Sequence, residues 1–311
     1  MVAFLCMNQY EHTLVVIAGP TAVGKTALAI RVAQDFDTAI ISADSRQCYR
    51  ELNIGVARPN EAELAAVPHY FIASHSVQDN LSAADFAHYA SATLKQLFQQ
   101  HKVVVMAGGT GLYIKALCEG LDEIPPVPKH IRDTITKRYE AEGIEWLQAA
   151  LSQRDPAFWA IVEQQNPRRL QRALEVLEAT GKSITNFQKG GHATHDFNII
   201  YIGAELPRDI LYNRINARVD AMIQAGLLAE VQSLQPYAAL PALQTVGYTE
   251  LFDYLSGKCT LDFAVDKIKQ HTRNYAKRQM TWFKKDDKFQ WFLPNDVDAV
   301  LKYLTEKGIR I

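Results

Sequence analysis

The sequence predicts an α/β fold: a parallel sheet with helices on both faces, interrupted by an all-helical insertion. Three observations carry this. An apolar, β-branched run at 13–18 leads at once into a Gly-rich loop ending Gly24-Lys25-Thr26, and then into a helical pattern. Further short apolar runs alternate with helical segments, as in sheets covered on both sides. A stretch near 125–196 has helical periodicity alone, after which an apolar strand returns at 198–203.

The elements follow in order. Gly19-Pro20-Thr21-Ala22-Val23-Gly24-Lys25-Thr26 fits G-x-x-x-x-G-K-[ST], the phosphate-binding P-loop, so the core is expected to be P-loop NTPase-like. Loop N–H groups and a helix N-terminus would face an anion. Lys25 would neutralise terminal phosphate oxygens, and the Thr26 hydroxyl would bind Mg²⁺. Residues 27–33 read as the helix. Residues 39–43 read as a second strand, delivering Asp44-Ser45-Arg46-Gln47 at its end, and 70–73 as a third. Helical periodicity runs over 82–100. A buried strand at 102–107 then ends in Gly108-Gly109-Thr110-Gly111-Leu112-Tyr113, with a loop at Gly108–Gly111. In parallel sheets ligands sit beyond the carboxyl ends of the strands, so these loops should share one rim.

Pro125, Pro126 and Pro128 break regular structure and suit a linker. Residues 129–185 are helical in pattern, with Gly181 placed as a helix C-cap. The core is thus read as 1–124 and 197–311, and the insertion domain as 125–196. Long helices are expected near 207–235, 242–256 and 261–284, a last strand at 289–292 and a helix at 296–307.

Composition narrows the class. The chain has 311 residues, 48% hydrophobic and 22% charged, neither a disordered nor a fibrous profile. Its 33 basic and 34 acidic side chains leave a net charge of −1, so any nucleic-acid site is a local patch. Such a patch is present: 267–288 holds eight Lys/Arg against two Asp. Arg273, Lys277 and Lys284 share one helical face. That face suits phosphate contacts or is simply solvated. Cys6, Cys48, Cys118 and Cys259 form no C-x-x-C pair, which points to a reducing compartment. The N-terminal stretch lacks the pattern of a signal peptide, and no apolar run has the length of a membrane span. A soluble, cytoplasmic protein is expected.

The strand at 102–107 ends in Gly108-Gly109, not in the Asp that holds Mg²⁺ in ordinary P-loop NTPases. Two classes stay open: a kinase-like phosphoryl transferase, or an enzyme whose leaving group is diphosphate. Asp44 fits either a solvated turn or a base that takes a proton from an attacking amine or hydroxyl.

Six motifs occur in order: the P-loop, Asp44-Ser45-Arg46-Gln47, Gly108-Gly109-Thr110-Gly111-Leu112-Tyr113, Arg169-Leu170-Gln171-Arg172-Ala173-Leu174-Glu175, Val246-Gly247-Tyr248, and Ala276-Lys277-Arg278-Gln279-Met280-Thr281-Trp282. From about residue 13 to residue 284 the chain resembles the tRNA dimethylallyltransferase family, also called tRNA Δ2-isopentenylpyrophosphate transferases. The resemblance implies transfer of a dimethylallyl group from dimethylallyl diphosphate to N6 of adenine 37 in tRNA, with Mg²⁺ and release of diphosphate. It makes Asp44 the base and puts Thr110 near the reacting adenine. The diphosphate falls to the P-loop residues Gly19, Pro20, Thr21, Ala22, Val23, Gly24, Lys25 and Thr26. Arg218 matches a diphosphate contact or lies on a solvated helix face.

The resemblance also implies tRNA contacts. They are Asp44, Ser45, Arg46 and Gln47; Thr110 and Arg132; Arg168, Arg169, Leu170, Gln171 and Arg172; Gln244, Thr245, Val246, Gly247, Tyr248 and Thr249; and Thr272, Arg273, Asn274, Tyr275, Ala276, Lys277, Arg278 and Gln279. The insertion would grip the anticodon stem-loop. The target base must leave its stack, and Tyr113, Tyr248 and Trp282 either stack on displaced bases or pack in the core. Val23 stands where many members carry a small polar residue. No Cys/His zinc module follows the basic helix, as in bacterial or organellar members. A monomer is expected. The main rival is an isopentenyltransferase acting on free adenine nucleotides, which would need neither the insertion nor the basic helix. A small-metabolite kinase and a non-catalytic nucleic-acid-binding module are the others.

Overall fold

The structure, a computed structural model, describes residues 10–190 and 193–310. Cys6 and nearly all of the N-terminal stretch lie outside these residues. The chain divides into two compact units, Met1–Cys118 with Thr194–Ile311, and Glu119–Ala193.

The larger unit is built on a six-stranded sheet in the order β3-β2-β4-β1-β5-β6. The strands are β1 (Thr13–Ala18), β2 (Ile40–Ser42), β3 (His69–Tyr70), β4 (Val103–Gly108), β5 (Asn198–Ala204) and β6 (Gln290–Phe292). Every pairing is parallel. The central strand β1 shows why the apolar runs are unbroken. Leu14, Val16 and Ala18 face one core, with Ile41, Val104 and Met106. Val15 and Ile17 face the other, with Ile40, Val105 and Ile202. A strand buried on both faces has no polar positions to alternate with.

Helices α1 (Lys25–Asp35), α8 (Arg208–Gln224) and α12 (Val297–Glu306) supply Leu28, Leu211, Ile215, Val300 and Leu304 to the second core. The first core takes Phe86 from α3 (Ala83–Leu97), Tyr113 from α4 (Gly111–Cys118) and Val231 from α9 (Leu227–Ser233). Leu251 from α10 (Tyr248–Leu255) and Ile268 and Phe283 from α11 (Leu261–Phe283) complete it. A short helix, α2 (Glu61–Ala66), carries a capping box in which Asn60 and Glu63 satisfy each other's backbone N–H.

Several boundaries differ from the sequence reading. Helix α4 already starts at Gly111, the last residue of the loop expected at Gly108–Gly111. The expected helix 207–235 is two helices, parted at Ala225–Gly226, where Gly226 takes φ 99° and starts α9. The third strand is only His69–Tyr70.

The smaller unit consists of α5 (Lys129–Arg154), α6 (Pro156–Trp159) and α7 (Pro167–Thr180), then a 3₁₀ turn at Ile184–Asn186. Gly143 interrupts α5 with a non-helical conformation. Helix α7 starts with Asn166 as N-cap and Pro167 in the first turn, and stops at Gly181 with φ 67°. Leu147, Leu151, Phe158, Leu170 and Leu174 form its core. The unit's two ends meet, the Ala193 N–H donating to the Glu119 carbonyl at 2.9 Å.

Candidate active site

Three loops leave neighbouring strands at one edge of the sheet, because Ala18 lies opposite Gly108 and Ser42 opposite Ala107. They are residues 19–24 after β1, 44–47 after β2 and 109–110 after β4. Helix α1 begins at Lys25, so its unpaired N–H groups close the first loop, an arrangement made for an anion. The third loop is drawn close to the second. A Cβ at Gly108 would stand 2.1 Å from the Ala43 carbonyl oxygen.

Beside the first loop lies a polar cavity of about 370 Å³, lined by Thr21, Gly24, Lys25, Thr26, Arg58 and Arg218, among others. The Lys25 ammonium donates to the Pro20 carbonyl at 2.7 Å. Burial lowers its pKa to about 8; Asp44 opposes this and Arg218 adds to it. Burial also holds the Arg218 guanidinium below its ordinary value, opposed by Glu63 and helped by Arg214. Three cations, Lys25, Arg58 and Arg218, face this cavity against two carboxylates, Asp44 and Glu63, which leaves it net positive.

A second cavity, about 250 Å³, has Ile215, Val219, Met222, Leu227, Val246 and Ile268 in its wall. The two cavities share Thr21, Asp44, Val56, Ala57, Arg218 and Tyr275. Asp44 therefore stands where polar and apolar spaces meet. Its Oδ1 accepts from Arg46 N (2.9 Å) and Gln47 N (3.2 Å), which fixes the carboxylate within its own turn. The Thr110 Oγ1 accepts from Ser45 N at 3.1 Å and lies 3.4 Å from the Ser45 hydroxyl. The Tyr275 hydroxyl also reaches Thr110. Although 36% of Tyr275 is exposed, burial, and then the charge of Asp44, push its phenol up to about 12.

The shared wall at Val56 and Ala57 is held from two sides. The Glu230 carboxylate accepts from the N–H of Asn53 (3.2 Å), Ile54 (2.7 Å) and Gly55 (3.0 Å), and from the Tyr248 hydroxyl (2.6 Å). Gln47 Nε2 donates to the carbonyls of Val56 (3.2 Å) and Ala57 (3.0 Å). Sequence reasoning missed Glu230, Arg58 and this loop. Glu230 is one acid in an ordinary helix, and its backbone partners lie 175 to 177 residues away.

Of the residues the sequence pointed to, Thr21, Ala22, Gly24, Lys25, Thr26, Asp44, Gln47, Arg218, Tyr275 and Gln279 line the polar cavity. Ser45, Arg46, Thr245, Val246, Gly247 and Thr272 line the apolar one. Val23 is buried, and its carbonyl accepts from Arg214 at 3.2 Å.

Three side chains expected at the RNA surface face cores instead: Leu170, Tyr248 and Ala276. Each sits on the inner side of an amphipathic helix whose outer side carries the charge. Of the three aromatics, Tyr113 stacks on Phe86 with centroids 4.5 Å apart, and Tyr248 is fully buried. Trp282 is 43% exposed and is the one open to a base.

The basic face of α11 is partly tied down. Arg273 donates to Asn216 at 2.6 Å and Lys284 pairs with Glu205 at 2.7 Å. Asn274, Lys277 and Arg278 are exposed. In the smaller unit Arg168 and Arg169 are exposed, Gln171 is half-buried, and Arg132 and Arg172 lie 4.0 and 3.4 Å from Glu175.

Among the described residues no cluster of three or more His, Cys, Asp or Glu could hold a metal ion. Thr26 and Asp44 are oxygen donors at the polar cavity. They fit a hard cation such as Mg²⁺ that arrives on phosphate oxygens, rather than one held in an all-protein cage.

A P-loop with its lysine, an apolar space beside it and a carboxylate at their junction define the site of a P-loop α/β enzyme. Comparison with known proteins narrows this class. The IPP transferase family matches residues 47–286, and the chain belongs to that family of transferases. It is 47% identical over 292 residues to tRNA dimethylallyltransferase 1 of Bacteroides thetaiotaomicron, covering 94% of this chain and 95% of the relative. It also matches the crystal structure of a tRNA isopentenylpyrophosphate transferase from Bacillus halodurans. That match has a TM-score of 0.70 and 34% identity over 96% of both chains. A eukaryotic dimethylallyltransferase described as acting on tRNA shares the fold at TM-score 0.73 and 23% identity, over 94% of this chain and 78% of its own.

Proposed function

We propose that the chain transfers a dimethylallyl group from dimethylallyl diphosphate to N6 of an adenine in tRNA, adenine 37 beside the anticodon, and releases diphosphate. One observation carries the reading most directly: Asp44 stands at the junction of a cationic polar cavity and an apolar one. The diphosphate matches the first cavity and the hydrocarbon the second.

In the reaction the bond between the allylic carbon and the diphosphate oxygen breaks. A bond from adenine N6 to that carbon forms, and N6 gives up a proton. Lys25, Arg218 and the loop N–H groups stabilise the charge growing on the leaving oxygens. Thr26 would hold Mg²⁺, which supplies further neutralisation of the diphosphate. The aliphatic wall of Ile215, Val219 and Met222 keeps water from the allylic carbon, where it would compete with the amine. Asp44, fixed by its own turn, takes the N6 proton. Thr110 orients the acceptor beside it. The end of β4 at Ala107-Gly108, without an acid, suits a leaving group that is not cleaved between phosphates.

The tRNA reading draws on the exposed Asn274, Lys277, Arg278 and Trp282 of α11, and on Arg168 and Arg169 of the smaller unit. No described helix is long and apolar enough to cross a membrane, in keeping with work on tRNA in the cytoplasm. A monomer is proposed as the active form.

The test is incubation with labelled dimethylallyl diphosphate, Mg²⁺ and either an anticodon stem-loop or AMP, followed by nucleoside analysis. Label on N6 of the RNA adenine alone is expected. Label on AMP in its place would replace this reading with a free-nucleotide enzyme.

A further inference from the structure

Helix α11 turns two side chains into the site one turn apart, Tyr275 and Gln279. Gln279 is one of the few buried polar residues, 7% exposed, and its amide is used at both ends. Oε1 accepts from Thr21 N at 2.8 Å, and Nε2 donates to the Gly109 carbonyl at 2.8 Å. The fit is close: a Cβ at Gly109 would stand 2.3 Å from Nε2. Thr21 belongs to the loop that carries Lys25 and Thr26. Gly109 adjoins Thr110, whose hydroxyl meets Ser45 beside Asp44. Beyond the last rung of the β1–β4 ladder, Ala18 opposite Gly108, the Gln279 amide is the hydrogen-bonded link between these loops among the described residues.

We infer that Gln279 is a positioning residue that holds the leaving-group cradle at a set distance and angle from the Asp44–Thr110 arm. The inference rests on the transfer reading above and replaces the expectation that Gln279 touches RNA. A displacement needs its carbon aligned between the departing oxygen and the attacking nitrogen, and a misplacement of about 1 Å can cost roughly 10²-fold in rate. The chemical demand on residue 279 is one acceptor and one donor in fixed relation. A glutamine meets it. A methionine of similar shape meets neither half. A glutamate meets it only when protonated, with its carbonyl accepting from Thr21 N and its O–H donating to Gly109. When ionised it sets negative charge against the Gly109 carbonyl, and that contact together with burial raises its pKa.

The experiment compares wild type, Gln279→Met and Gln279→Glu for single-turnover rate on the stem-loop across pH 6 to 8.5, alongside KM for dimethylallyl diphosphate and stem-loop affinity. Thermal melts confirm folding. Gln279→Met is expected to lose roughly 10- to 100-fold in rate, with KM and RNA affinity within about threefold. The Gln279→Glu rate, divided by that of wild type, should climb about tenfold or more from pH 8 to pH 6 as the side chain regains its donor. Dividing by wild type removes any pH dependence that the two proteins share.

An undiminished Gln279→Met rate would overturn the inference, as would a ratio flat with pH. So would a loss confined to RNA affinity, which would return Gln279 to the RNA surface. Amide exchange at residues 19–22 judges the brace without any turnover. Protection of Thr21 N–H should fall in Gln279→Met and recover at low pH in Gln279→Glu, and unchanged protection refutes it. If wild type itself labels no RNA, the transfer reading fails while the exchange result still decides the brace.

Discussion

Lys25 offers the sharpest quantitative test of the cradle. Burial moves its pKa from 10.5 to about 8. At 1.36 kcal/mol per unit, the buried ammonium costs about 3 kcal/mol relative to water. The sign follows from the lowered value. Below pH 8 Lys25 is charged in both folded and unfolded chains, and the folded protein carries the full cost. As pH rises from 8 towards 10.5 the folded side chain sheds its proton first and the cost is relieved. A bound diphosphate reverses this by adding counter-charge to that of Asp44, so binding at pH 8 should draw in a proton. With half the Lys25 population neutral there, uptake by this group is about 0.5 proton, rising to about 0.9 at pH 9 and vanishing near pH 6.5. The assay is calorimetry of pyrophosphate with Mg²⁺ in buffers of different ionisation enthalpy. The control is Lys25→Arg, which stays charged throughout. Subtracting the control removes the ligand's own protonation. Equal proton uptake by the two proteins at pH 8 would refute the claim that Lys25 is a desolvated cation facing the anion site.

Three further outcomes are expected. Asp44→Asn keeps the oxygen that accepts from Arg46 and Gln47 but lacks a base, so transfer should fall by roughly 10²- to 10⁴-fold with stem-loop affinity unchanged. Persisting turnover would remove Asp44 as the proton acceptor. Lys277→Glu should weaken stem-loop binding in anisotropy titrations and flatten the log–log salt slope by about one counterion, and an unaltered slope would make α11 an ordinary solvated helix. Gly108→Ala places a methyl 2.1 Å from backbone at Ala43, whereas Gly203→Ala meets the Trp291 ring, a side chain, at 2.6 Å. Urea melts should show Gly108→Ala costing about 3 kcal/mol or more and Gly203→Ala about 1 kcal/mol, because only the ring can move aside. Equal costs would contradict the rigid approach of the third loop.

Much of the core was legible because its signals are local. The central strands are buried on both faces, so their apolar runs could be read without knowing their neighbours. The P-loop fits a spacing rule, and Gly181 announces the end of α7 by residue type. What escaped depends on distant partners. Gln279 looks like one polar residue in a basic helix until its amide is seen on Thr21, some 258 residues earlier. Glu230 is equally anonymous until four donors converge on it. Tyr113, Tyr248 and Trp282 carry the same aromatic signal, and only the packing of α4, α10 and α11 separates two core residues from one exposed ring. Arg273 matched the basic stripe by spacing, yet it turns to Asn216 because α8 packs beside it.

The meeting of Glu119 and Ala193 bears on how such a chain could be assembled. A segment with its own apolar core leaves and re-enters the polypeptide at two points joined by one backbone hydrogen bond. Loop-closure entropy grows only slowly with length, so a long excursion between fixed ends strains the sheet little more than a short one. The segment behaves as a cassette. A tight turn across the same two points would restore a continuous path from α4 to β5 without moving a strand. The lysine cradle, the carboxylate and the aliphatic wall all lie in chain outside the cassette, so a change of grip could be tried by exchanging it while the chemistry stayed in place.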